Sequence, residues 1–175
     1  MGACETETTG GPVVKETIVD GNLDQGDLFP HVVLVDGGCT GTVIGPRQVL
    51  SAAHCFCQAQ DQEDGGWTKN ASYCNGEATI TLTAEGENPA LEVSATVRVH
   101  PGYIMTADGR GNLLRSEADL AILELDACVP DTTSPIDMVA EPPAVAPGGV
   151  TLGRIVGFGN NTCDAKLYLG QRWWG

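Results

Sequence analysis

From Ile18 onward, turn residues cut the chain into short apolar runs. His31 to Val35 ends at Gly37-Gly38, Cys39 to Ile44 ends at Gly45-Pro46-Arg47, and Gln48 to Ala52 runs into His54. Two apolar runs joined by a glycine–proline turn predict a tight antiparallel pair. Ala78 to Thr83 sets Ile80 and Leu82 against Thr79, Thr81 and Thr83, and Leu91 to Val99 places Leu91, Val93, Ala95, Val97 and Val99 at alternate positions. A period of two is the signature of a strand with one buried face. Asp119 to Leu125 and Val150 to Phe158 are two further predicted strands. Residues 58–76 and 101–117 are predicted to be long surface loops, and the proline-rich stretch 129–149 a connector. There is no internal repeat and no long helical pattern. About seven strands separated by turn signals predict an all-β antiparallel barrel or sandwich, and periodicity does not choose between them.

Composition narrows the setting. A length of 175 residues allows one ordinary domain, or one domain and part of another. Asp and Glu number 23 against 9 Lys and Arg, a formal charge of −14, so a phosphate-binding surface and hence nucleic acid are not expected partners. An anionic membrane surface would repel the chain for the same reason. Hydrophobic residues at 42% suffice for a packed core, which excludes a wholly disordered chain despite the charge. Apolar runs are far shorter than the roughly 20 residues that span a bilayer, so no transmembrane segment is expected. Seven scattered cysteines suggest disulfides and an exported protein, extracellular or periplasmic. Residues 1–17, rich in Glu, Thr and Gly, read as a flexible leader or pro-segment without the apolar core of a signal peptide. The export signal is therefore expected upstream of Met1, unless the start is artificial.

The chemistry concentrates in Cys39-Thr-Gly-Thr-Val-Ile-Gly-Pro-Arg-Gln-Val-Leu-Ser-Ala-Ala-His54-Cys55. Two paired strands with a turn would bring Cys39 and Cys55 face to face, and a disulfide there would fix the turn that carries His54. The segment resembles the histidine motif of trypsin-like (chymotrypsin-fold) serine proteases. Further blocks match in the right order. Ile18-Val19-Asp20-Gly21 resembles the family's mature N-terminus, and Val99-His100-Pro101-Gly102-Tyr103 the strand end before the aspartate loop. Asp119-Leu120-Ala121-Ile122-Leu123-Glu124-Leu125 resembles the aspartate motif, and Val156-Gly157-Phe158-Gly159 the strand that begins a second barrel. The resemblance covers residues 18–160 and implies the first β-barrel of a two-barrel fold over residues 18–140. Residues 141–175 would then be the inter-barrel connector and the start of a truncated second barrel. It also implies serine endopeptidase chemistry on polypeptide substrates. His54 would take the proton of a serine hydroxyl, and Asp119 would hold the other ring N–H.

The family's serine stands in Gly-Asp-Ser-Gly-Gly, and none of Ser51, Ser72, Ser94, Ser116 and Ser134 has that context. The nucleophile, the oxyanion hole and the specificity pocket are therefore expected to be missing, and the chain as written is expected to be inactive. Two alternatives stand beside this reading: a non-catalytic protease-like binding module, and a non-functional truncated gene product. A lone first barrel would expose the face meant for its partner, so a protein covering that face is an expected partner. Ile18 would be the activation N-terminus, although Thr17 precedes it where the family has Arg or Lys. Cys57 and Cys74 bracket the first long loop and could form a local bridge. Gly2-Ala3-Cys4 resembles the end of a bacterial lipoprotein signal, which would make Cys4 a lipid anchor. No cofactor is expected. His54-Cys55-Phe56-Cys57 lacks a second ligand pair for zinc, and Asp61, Glu63 and Asp64 read as a solvated acidic loop, so no metal is expected either.

Overall fold

Among its described residues, the computed structural model has thirteen strands and two single turns of 3-10 helix. It describes residues 22–24, 28–36, 38–82, 91–131, 133–138, 155–158 and 172–174. The leader 1–17, Ile18, Cys4 and Cys163 lie outside the described residues. In chain order the first strands are β1 (Asn22–Leu23), β2 (Val32–Val35), β3 (Cys39–Gly45), β4 (Gln48–Ser51), β5 (Gln60–Asp61) and β6 (Trp67–Asn70). They are followed by β7 (Glu77–Leu82), β8 (Leu91–Val99), β9 (Ile104–Ala107) and β10 (Leu113–Glu117). The last three are β11 (Ala121–Leu125), β12 (Val156–Phe158) and β13 (Arg172–Trp174).

Alternation along these strands builds a closed barrel in the order β11-β4-β3-β2-β7-β8, with every neighbouring pair antiparallel. β7 turns Ala78, Ile80 and Leu82 inward, and β8 turns Val93, Ala95 and Val97 to meet them. Val33, Val35, Val43, Val49, Leu123 and Leu125 complete the same core. Leu91 follows the period but stands 46% exposed, because it lies at the end of β8. The choice that period two leaves open is made by the pairing of β8 with β11, which closes the sheet and removes its edges.

Gly41 is required by the packing of β2 and β4 on either side of β3. A Cβ at this position would lie 2.5 Å from Val49 Cγ1 and 2.9 Å from Val35 Cγ2, both on stiff, fully buried side chains. Gly41→Ala should therefore lower stability by about 1–3 kcal/mol, measured by urea unfolding.

The two segments expected to be loops each contribute two strands to a sheet. β5 pairs β6, β6 pairs β9 and β9 pairs β10, giving a four-stranded sheet from residues 60–70 and 104–117. None of its longer strands shows the expected period: Trp67–Asn70 is half-buried throughout and Leu113–Glu117 exposed throughout. Backbone pairing between distant segments creates this sheet, and such pairing leaves no local hydrophobic signal.

A third sheet, β1-β13-β12, joins the two ends of the described chain. Arg172 Nε donates to Asp24 Oδ2 at 2.6 Å and Nη1 donates to the Val32 carbonyl at 3.0 Å, while Asp24 N donates to the Arg172 carbonyl. Phe158 N donates to Thr40 Oγ1 at 2.9 Å, which ties β12 to β3. Among the described residues no helix is long and apolar enough to cross a membrane.

Candidate active site

Barrel register brings the two singled-out residues together. β4 and β11 are neighbours, with Ser51 opposite Ala121. His54 follows β4 by three residues and Asp119 precedes β11 by two, so both emerge at the same end of the barrel. His54 occupies the 3-10 turn Ala53–Cys55, entered from an extended Ala52. Immediately before Asp119, Ala118 takes the left-handed conformation with φ of +48°, a cost of about 1–2 kcal/mol for a residue with a Cβ. Leu120 N donates to the Ala118 carbonyl at 2.7 Å, and His100 N donates to the Leu120 carbonyl at 2.9 Å. These bonds hold the reversal that aims Asp119 at the turn.

Asp119 engages His54 twice. The His54 backbone N–H donates to Oδ1 at 2.8 Å, and ring Nδ1 lies 2.7 Å from Oδ2. An ionised carboxylate only accepts, so the ring bond requires the proton on Nδ1 and leaves a lone pair on Nε2. The side chains are 22% and 24% exposed. The arrangement can take up a proton at Nε2 and stabilise the resulting imidazolium through the adjacent carboxylate.

The chain on either side of His54 is fastened. Cys39 and Cys55 form a disulfide across sixteen residues, and Cys57 and Cys74 form a second across seventeen. Gln58 N donates to the Tyr73 carbonyl and Asn75 N to the Phe56 carbonyl, flanking the second bridge. Lys69 Nζ, from β6, donates to the His54 carbonyl at 3.0 Å. Nothing in the sequence announces that contact, because it depends on where the β6–β9 pairing places β6. Cys128 is a free, exposed thiol.

Tyr103 packs behind the turn with Ala53 and Cys57 and is only 2% exposed. Its hydroxyl has no hydrogen-bond partner among the described residues. Burial, reinforced by the Asp119 charge, pushes the phenol up to about 12 from an ordinary value of 10. The unfolded chain therefore releases this proton first. The associated stability is complete below pH 10 and declines as pH rises toward 12. Tyr103→Phe removes a buried, unsatisfied hydroxyl and should stabilise the fold by about 1 kcal/mol at neutral pH. It should also flatten the alkaline decline, which a series of urea titrations from pH 8 to about 12 would read.

The remaining candidates separate from this centre. Cys39 Sγ, Cys55 Sγ and a His54 ring nitrogen lie within 4.8 Å of one another, but both sulfurs are committed to their disulfide and offer no thiolate to a metal. Asp61, Glu63 and Asp64 are exposed, and Asp64 Oδ1 accepts from Gly66 N within its own turn. Ser51 is buried on β4 with its hydroxyl donating to the Thr40 carbonyl at 2.9 Å. Ser72, Ser94, Ser116 and Ser134 are exposed.

No curated protein gives a significant match to the chain. A family model described as Trypsin matches residues 18–171, most of the sequence. That match spans the barrel, the His54 turn and Asp119 alike, and the chain belongs to the trypsin family of serine proteases.

Proposed function

We propose that this protein supplies the general base and the orienting acid of a serine endopeptidase, His54 and Asp119. The observation that carries the reading is the double engagement of Asp119, on the His54 backbone N–H at 2.8 Å and on Nδ1 at 2.7 Å. In the reaction a serine oxygen attacks the peptide carbonyl and its proton passes to His54 Nε2. The imidazolium returns that proton to the leaving amine, and the cycle repeats with water to release the acyl group. Asp119 stays ionised throughout and holds the ring.

None of the five serines in these 175 residues is proposed as the nucleophile. Ser51, nearest His54 in sequence, already donates its hydroxyl to a backbone carbonyl inside a strand. The 175-residue chain is therefore inactive by itself, and a serine outside it completes the triad. Residues 18–140 are the unit that presents His54 and Asp119, with Ile18 as the N-terminus released on activation. The two disulfides support an oxidising, extracellular or periplasmic setting, and Cys4 remains a proposed lipid anchor.

A serine-directed fluorophosphonate probe and a peptide-ester substrate test this directly. The 175-residue chain should neither label nor hydrolyse. A form extended through a Gly-Asp-Ser-Gly-Gly serine should do both, and should lose both with His54→Ala. Hydrolysis by the 175-residue chain that His54→Ala abolishes would overturn the assignment of the nucleophile. Activity in the extended form that survives His54→Ala would overturn the assignment of the base.

A further inference from the structure

We infer that Lys69 is a positioning residue for His54, and this inference rests on the reading of His54 as the general base. The residue belongs to β6, in the four-stranded sheet β10-β9-β6-β5. The Cys57–Cys74 disulfide, three residues after His54, closes the segment that carries β5 and β6. Within the turn that carries His54, each carbonyl has its own donor. The Ala52 carbonyl accepts from Cys55 N at 3.3 Å and the Ala53 carbonyl from Phe56 N at 3.0 Å. The His54 carbonyl lies past the last of these internal bonds and accepts from Lys69 Nζ at 3.0 Å. A cationic donor suits this place, because the carbonyl end of a helical turn carries the negative end of its dipole.

The geometric consequence concerns the direction of the His54 side chain. Both backbone groups of the residue are bonded to charged side chains from separate elements. The N–H is held by Asp119, ahead of β11, and the C=O by Lys69, on β6. With the peptide planes on either side of Cα fastened, the Cα–Cβ direction is fixed, and with it the ring's approach to Asp119 Oδ2. Lys69 itself is only partly exposed and is held in register opposite Met105 of β9. The sheet thus reaches the backbone of His54 through the Lys69 ammonium, which takes no part in the chemistry.

The test uses the 175-residue chain, labelled with ¹³C and ¹⁵N, and two independent measurements. In the unmodified protein, the Lys69 ammonium should show a hydrogen-bond scalar coupling to the His54 carbonyl carbon, and its absence from a folded sample would overturn the inference. Long-range proton–nitrogen correlation of the neutral His54 ring then gives the ratio of the Nδ1–H to the Nε2–H form. The Nδ1–H form should dominate. Lys69→Met should lower the ratio about tenfold, the scale set by loss of one charge-assisted hydrogen bond, and Lys69→Arg should hold it near the original. An unchanged ratio in Lys69→Met, or an equal fall in Lys69→Arg, would overturn the positioning role. A chain whose unmodified ring carries mainly Nε2–H would overturn the His54–Asp119 reading itself, and the inference with it. If Lys69→Met does not fold, the coupling in the unmodified protein decides.

Discussion

Asp119→Asn, in a form of the protein that carries the nucleophilic serine, is expected to lower kcat about 10⁴-fold with KM little changed. That size is expected when the carboxylate orienting a catalytic histidine is replaced by an amide. The backbone bond survives, because the asparagine Oδ1 still accepts from His54 N, now at 2.8 Å to the carboxylate. The ring bond changes sense. An amide NH₂ placed near Nδ1 donates, so the imidazole must accept there and carry its proton on Nε2. A ring protonated at Nε2 has no lone pair for the serine proton, and without the carboxylate its imidazolium loses a charge at 2.7 Å. Steady-state kinetics on a peptide amide would measure the loss. An effect below about tenfold would mean that Asp119 does not set the tautomer of His54.

The largest stability effect is expected at Asp24. Its carboxylate and the Arg172 guanidinium are 0% and 4% exposed, and the pair meets at 2.6 Å. Asp24→Ala removes the carboxylate, leaves the guanidinium buried, and deletes the acceptor for Leu28 N. A cation cannot return to water without opening the β1-β13-β12 sheet, so the cost should be about 3–5 kcal/mol in urea unfolding. Replacing both partners with apolar residues, Asp24→Leu with Arg172→Met, should recover most of that loss, because neither charge then remains to be desolvated. A cost under about 1 kcal/mol for Asp24→Ala would show that the third sheet opens readily and contributes little to the stability of the fold.

The fold was legible where burial is one-sided. Ile80 and Leu82 in β7, and Val93, Ala95 and Val97 in β8, alternate in sequence because one face of each strand meets the core and the other meets water. Legibility failed where a strand has no buried face of its own. Leu113–Glu117 is exposed along its whole length and Trp67–Asn70 is half-buried along its whole length, so composition pointed to loops while backbone pairing made a sheet. The same failure hid Lys69, whose contact with His54 depends on that pairing.

By itself the sequence determined the family-level chemistry: a histidine at the end of one strand, an aspartate at the head of another, and cysteines spaced to brace the histidine turn. Those features are local, since each is carried by a short segment whose turn residues and alternation act on their own neighbours. Closure of β8 on β11, the shared emergence of His54 and Asp119 at one end of the barrel, and the burial of Asp24 against Arg172 were decided only by the tertiary structure. Each joins residues far apart in the chain. A contact of that kind forms only when many backbone and side-chain interactions elsewhere have already offset the entropy of closing the loop between them.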